Sequence, residues 1–438
     1  MLTFLNNDRN ACILSIIIIS LSLLYFIQFI NEDFIGSDYG NYLQGATSII
    51  NYGTYSTIDN PQIPDNFRPI GTSLIIAFSK LINPYYFNEI VISIQCILFI
   101  WMFVLTLKTL KLFDLYNPLI IYITLAFFLH PMMLETATQI QSDLFTAFFI
   151  FAFSYNFSKY LFKSNNKNLY LSILMLSLSL YFRPTFLYFI PIVIWTIYKY
   201  GNGKQILITI AILLLVQSPW IIRNKVVLNT YKIATLGDIV LVYYAGETLR
   251  QAYGLEPDPA FALAAKKVGF TEWPHLKNKN DFDMIENAKH NSIKLIAEHH
   301  TSFLLAWLRG TARVFLMPHE IYSIRNNTTI NVEKFITLLK SNPSALKHHI
   351  NAYFIYLYIV PYLINIMILF GLFKVFLNAK KYYFSNQKAL VFLILLSSYG
   401  LLIPGPINRP HYMIYFYLGL IIIFIYGIKE IINPKVKQ

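Results

Sequence analysis

Ten apolar runs separated by short basic stretches set the pattern of the chain: 11–30, 89–107, 117–133, 144–162, 168–182, 184–198, 204–220, 351–373, 389–403 and 412–428. A bilayer crossing takes about 20 helical residues, so the first run is a full span and the shorter ones, several against a proline, are spans whose ends the pattern leaves open. Two stretches break this rhythm. In residues 31–88, Ser37 is placed to cap a helix starting at Asp38, with Tyr42, Ala46 and Ile50 following at helical spacing and Gly53 closing it. Pro61 and Pro64 then lead to a second apolar helix over about Thr72–Ile82. In residues 221–350, Lys232–Tyr244 alternates Ile, Val and Tyr as a strand or hairpin does, while 258–302 is polar and helix-compatible. The segment 303–317 carries Arg309 and Arg313 four apart and is expected as an amphipathic helix on, or dipping into, the membrane surface. The expected fold is therefore an all-α polytopic membrane protein with about ten transmembrane helices and a small mixed α/β segment. It divides into a core of 1–225 that includes the 31–88 loop, a segment of 226–350, and C-terminal helices in 351–438.

Charge supports a topology. Starting inside at Arg9, alternate loops hold Lys108 and Lys111, then Lys159, Lys163 and Lys167, then Lys199 and Lys204, then Lys374, Lys380, Lys381 and Lys388, then Lys429, Lys435 and Lys437. Short cytoplasmic loops concentrate lysine and arginine, so both termini are expected inside and Asp38 outside. Composition agrees: of 438 residues 56% are hydrophobic and only 13% charged, against roughly 25% charged in soluble domains. The mean hydropathy is +0.51. The first run lacks a small-residue cleavage site and is expected as a retained anchor. The net charge of +13 is dispersed between spans and forms no stripe, which argues against nucleic acid as a partner. Cys12 and Cys96 both fall inside apolar runs, as packing residues do. No internal repeat is visible, nor is a Walker loop, a dinucleotide GxGxxG, an HExxH or a Gly-x-Ser-x-Gly elbow. The pairs His299-His300 and His348-His349 read as surface histidines, and Asn326-Asn327-Thr328-Thr329 is a weak glycosylation sequon.

The informative charges lie near span ends on the expected outer side: Asp38, Arg68, Glu135, Asp143, Arg183, Arg223 and Arg409. Acids at membrane depth are costly unless they face water, metal or a cation, which makes Asp143, with Glu135 close by, a functional candidate. Arg183, Arg223 and Arg409 each stand beside a proline or an aromatic residue, and a guanidinium grips phosphate oxygens in a bidentate way that lysine cannot copy. Two readings stay open for these groups. Asp38 charges its helix N-terminus or serves as a base; the arginines anchor helix ends one by one or converge on a phosphate. Glu32 and Asp33 lack the helical spacing of Asp38 and read as interfacial charges.

Asp38, Tyr42, Ala46, Gly53, Tyr55 and Ser56 stand in the register of the first external loop of the GT-C glycosyltransferases, and Ser218-Pro219-Trp220-Ile221-Ile222-Arg223-Asn224 resembles their Pro-Trp-x-x-Arg-Asn element. Arg68-Pro69-Ile70-Gly71 is similar to their Arg-Pro-Pro-Gly, with Thr72-Ser73 replacing the Tyr-Pro that follows there. The resemblance, to the protein mannosyltransferase and lipid A aminoarabinose transferase branch, covers most of 30–225 and returns at 404–412. It implies an enzyme that takes a sugar from a polyprenyl-phosphate donor, with inversion, and passes it to a lipid, glycan or protein acceptor outside a bacterial plasma membrane. Asp38 would be the base, and Arg183, Arg223 and Arg409, helped by Arg68, would hold the departing phosphate. Asp143 and Glu135 would support them, and Tyr42 and Tyr55 would belong to the substrate loop. No cofactor is required, although some members bind a divalent ion that Asp38 could help hold. The alternatives are a polymerase or ligase acting on lipid-linked oligosaccharides, and a transporter of lipid-linked sugars, which would show repeats and charges strung through the bilayer.

Overall fold

The computed structural model describes residues 7–29, 38–56, 63–270, 282–316, 359–377, 387–407 and 410–428. In chain order, α1 (Asp8–Phe29) is followed by α2 (Tyr39–Tyr52) and α3 (Gly71–Ile82), which pack on each other. Next come α4 (Phe87–Leu112), then α5 (Pro118–Phe128) and α6 (Pro131–Thr138), bent by 62° at the break between them. A close pair, α7 (Ser142–Lys163) and α8 (Asn166–Ser179), leads through a 3-10 turn at Pro184–Phe189 to α9 (Ile190–Tyr200) and α10 (Gly203–Leu228). Then α11 (Leu236–Tyr253), α12 (Pro257–Val268) and α13 (Phe282–Glu298) form a small separate cluster. The chain continues with α14 (His300–Leu316), α15 (Val360–Leu377) and α16 (Lys388–Leu402). Two 3-10 turns, Gly405–Ile407 and Pro410–Phe416, precede α17 (Tyr417–Gly427).

Four of these helices, α1, α4, α10 and α15, are long and apolar enough to cross a membrane, and the bent α5–α6 pair makes a fifth if it is one span. The protein is membrane-embedded. α7 has 22 residues, enough to span, but it carries Asp143, Ser154, Asn156 and Ser158 and lies buried inside the bundle. Two of its polar side chains are satisfied within the helix: Ser154 and Asn156 donate to the carbonyls of Ile150 and Ala152. Around it the core is aromatic, with Phe151, Phe153 and Phe157 buried against Phe128, Phe189 and Phe392.

Proline sets the breaks. Pro131 has no N–H to continue α5, and His130 turns there, its Nδ1 accepting the Met132 N–H to cap α6. Pro219 lies inside α10, and the Ser218 hydroxyl donates to the Leu215 carbonyl that a residue with an N–H would have bonded.

The strand or hairpin expected over Lys232–Tyr244 is absent: the chain turns through 230–235 and is helical from Leu236. Ile239, Val242, Ala245 and Leu249 recur at helical spacing and face α12 and α13, and this longer pattern overrides the local alternation. Among the described residues there is no strand, and an isolated antiparallel bridge joins Ser56 and Pro64. In α14 the Trp307 indole donates to the Leu402 carbonyl, while Leu304, Leu305 and Leu308 stay exposed.

Several helix ends meet at one end of the bundle. The Tyr39 hydroxyl of α2 donates to Asn88 of α4, the Gly71 N–H of α3 donates to the Tyr181 carbonyl after α8, and the Tyr181 hydroxyl donates to the Val216 carbonyl of α10. Gly71 is required at this contact, since a Cβ would stand 2.6 Å from the Tyr181 carbonyl oxygen.

Candidate functional site

Asp38 is the N-cap residue of α2, yet its side chain makes no capping bond. The carboxylate turns instead to Arg68: Nη1 donates to Oδ2 at 2.8 Å and Nη2 to Oδ1 at 2.6 Å, a bidentate pair with both groups only partly exposed. At the other end of α2, Gly53 adopts φ 67°, the left-handed cap that glycine allows at no cost, and its N–H closes on the Ile49 carbonyl. Within α2, Gly45 lets the Tyr55 ring close against the helix.

Arg68 is wedged between aromatic faces, its guanidinium carbon 5.4 Å from the ring centres of both Tyr42 and Phe67. Tyr42 is fully buried, and its hydroxyl faces Arg68, Ser142 and Arg183. Burial raises the Tyr42 pKa, Asp38 adds to the rise, and the two arginines pull against it; the phenol stays protonated. Burial works to lower the Arg68 pKa, and Tyr42 and Asp38 outweigh it, so Arg68 stays above its ordinary value. Its Nε is buried with no partner among the described residues.

Beyond Tyr42 lies a second arginine–carboxylate pair. Arg183 donates from Nη2 to Asp143 at 2.8 Å and from Nε to the Ser142 hydroxyl at 3.1 Å. Its guanidinium stacks over Tyr412 and Tyr415, and the Tyr415 hydroxyl donates to the other Asp143 oxygen. Asp143 is 1% exposed, so this carboxylate is locked in place, while Asp38 at 25% is not. The order is therefore Asp38, Arg68, Tyr42, Arg183, Asp143: two cations about one phenol, each held by its own acid.

Arg223, expected to hold phosphate, is occupied otherwise. Nη1 donates to the Asp65 carbonyl at 2.8 Å and Nη2 to the Tyr55 carbonyl at 2.6 Å, on either side of the Ser56–Pro64 bridge. It also stacks on Trp220, whose indole donates to the Ile233 carbonyl. The neighbouring Asn224 bonds Asn66 and the Lys232 carbonyl, and Asn66 accepts from Thr235. These contacts brace the loop that carries Arg68, and Tyr55 belongs to the brace: its ring packs on Trp220 and its hydroxyl reaches the Arg68 carbonyl at 3.4 Å.

Glu135 is buried on α6 and accepts from Gln139 at 3.0 Å. Arg409, Glu32, Asp33 and the capping residue expected at Ser37 lie outside the described residues. Among the described residues no three His, Cys, Asp or Glu converge as a metal site. A divalent ion does not fit between Asp38 and Asp143, because each acid already holds a guanidinium that would repel it. The site also contains Ser142, Tyr412 and Tyr415, which the sequence did not single out as binding residues. Tyr415 stands three residues after Tyr412, on the same helical face, and that spacing was its only signal. No protein-family model matches this chain, and no curated protein sequence matches it either.

Proposed function

We propose that the chain is a membrane glycosyltransferase of the GT-C kind, moving a sugar from a polyprenyl-phosphate donor to a hydroxyl of a lipid, glycan or protein acceptor at the outer face of a bacterial plasma membrane. The observation that carries this reading is the Asp38–Arg68 pair joined through Tyr42 to Arg183, at one end of an apolar bundle. It has an acid and two guanidinium groups within one small volume, beside helices whose apolar surface suits an isoprenoid. A transporter would need charge distributed along a path through the bilayer, and here the charge is gathered at one end.

The chemistry follows from the groups. The acceptor oxygen forms a bond to the anomeric carbon from the face opposite the phosphate, the bond from that carbon to the phosphate oxygen breaks, and its electron pair leaves with the phosphate. The acceptor proton goes to Asp38. Arg68 and Arg183 neutralise the charge growing on the leaving phosphate, and Tyr42 donates to it between them. Arg409 would join them, while Arg223 acts at a distance by holding the loop. In the proposed topology both termini face the cytoplasm, and α7 with the short apolar helices α8, α9, α16 and α17 brings the crossings to about ten.

The test is to incubate the purified protein with a panel of polyprenyl-phosphate sugars and measure released polyprenyl phosphate. One donor should be consumed, and Asp38→Asn should abolish the release. No release from any donor, or full release from the variant, would overturn the reading.

A further inference from the structure

Both oxygens of the base are occupied, since the two terminal nitrogens of Arg68 bond the two oxygens of Asp38. Held in this way the carboxylate has one lone pair of each oxygen committed to the guanidinium and its orientation fixed by the fork, so it is not free to turn toward an incoming hydroxyl. Building on the glycosyl-transfer reading, we propose that the Asp38–Arg68 pair is a latch opened by the donor phosphate. The phosphate displaces the Asp38 carboxylate from Arg68, and only then is the carboxylate free to accept the acceptor proton. Donor binding thus precedes acceptor activation, and the site without donor holds no free base to activate water.

Four features make the exchange one-sided. Arg68 is fixed between the Tyr42 and Phe67 rings, so the arginine stays and the carboxylate moves. Its Nε has no acceptor among the described residues, so the carboxylate does not exhaust its donors and the donor's phosphodiester, with two non-bridging oxygens, can use more of them. Asp38 is partly exposed, and once released it remains a charged group at the N-terminus of α2, where a carboxylate is favoured. The companion pair cannot act in the same way, because Asp143 is buried and held by Tyr415 as well as Arg183.

Removing the internal competitor should tighten phosphate binding. Geranylgeranyl phosphate is titrated into the full-length protein in nanodiscs, with intrinsic tryptophan fluorescence as the readout. Asp38→Asn and Asp38→Ala should each bind it about fivefold tighter than the wild type, which is the weight of one partly exposed ion pair. Arg68→Ala should bind it more weakly than the wild type. Thermal unfolding checks that each variant is folded, and agreement between the two Asp38 variants excludes an effect peculiar to one side chain. If the wild type binds and both Asp38 variants bind equally or more weakly, the latch is overturned while the transferase reading stands. If no form binds the phosphate, both are overturned.

Discussion

Arg68 grips Asp38 through two parallel hydrogen bonds of 2.6 and 2.8 Å, while the N–H groups that Asp38 would have capped on α2 receive nothing from its side chain. This separates the two roles that a carboxylate at a helix start can have. A capping aspartate lost to asparagine or alanine weakens its helix; this one is engaged elsewhere. Asp38→Asn should therefore shift unfolding by no more than about 1 kcal/mol, as expected for a partly exposed pair. Sugar transfer should fall by at least about a hundredfold, as for loss of a general base. Thermal unfolding and single-turnover transfer on the same preparation check both halves.

Arg223 holds the carbonyls of Tyr55 and Asp65, and the Asp65 N–H donates to the same Tyr55 carbonyl. A lysine at 223 keeps the charge and can reach one carbonyl at a time. Arg223→Lys should cost about 1.5–3 kcal/mol in the stability of this loop, the range for hydrogen bonds to a charged group. Hydrogen exchange at Asp65 should speed up, with α7 amides unchanged as an internal standard. Unaltered exchange at Asp65 together with weakened donor binding would return Arg223 to the phosphate-holding role expected from the sequence.

The different fates of these arginines show what a sequence carries. Residue type and spacing put Asp38, Tyr42 and Arg68 in one loop, because the helical period from Asp38 and the glycines at 53 and 71 are local features. The pairing of Arg183 with Asp143, 40 residues away, depends on how α7 and α8 stack, and no local pattern reports it. Arg223 displays a charge in sequence but not its partners, which are backbone carbonyls from a loop 158 and 168 residues earlier. Lys232–Tyr244 resembles a strand because β-branched and aromatic residues at every second place fit one over a few residues, while helical burial declares itself only when Ala245 and Leu249 are included. Hydropathy found the apolar runs, yet prolines at 131 and 184 and the polar face of α7 make several of them short or interior helices.

Gly71 and Gly40 give a paired prediction. A Cβ at Gly71 meets the Tyr181 carbonyl oxygen at 2.6 Å, a backbone atom that cannot rotate away, whereas a Cβ at Gly40 meets nothing within 4 Å. Gly71→Ala should destabilise by about 1–3 kcal/mol through overpacking, and should weaken donor binding because Arg68 lies three residues earlier. Gly40→Ala, inside α2, should stabilise by up to about 1 kcal/mol through helix propensity. Unfolding temperatures measured side by side test the contrast, and equal destabilisation by both would remove the close approach as its cause.

Glu286 offers a pH-dependent test away from the site. Hydrogen bonds from Lys232 at 2.5 Å and Lys289 at 3.1 Å hold its carboxyl down to about 2, from an ordinary value of 4.5. Lys232 also pairs with Asp238 at 2.7 Å, so it ties the start of α11 to α13. Because the folded value lies below the unfolded one, the pair's contribution is complete above the ordinary carboxylate range and is lost as pH falls from about 4.5 through about 2. Glu286 is 38% exposed, so solvent screening limits the contribution to no more than about 1 kcal/mol. Lys232 has its own pKa raised, and its share is lost only at alkaline pH, outside this window. Hydrogen exchange of α13 amides, compared at pH 6 and pH 3, should show the wild type losing protection on acidification. Glu286→Gln should be less protected at pH 6 and show a smaller loss. Parallel losses in the two proteins would mean that other carboxylates govern the acid response.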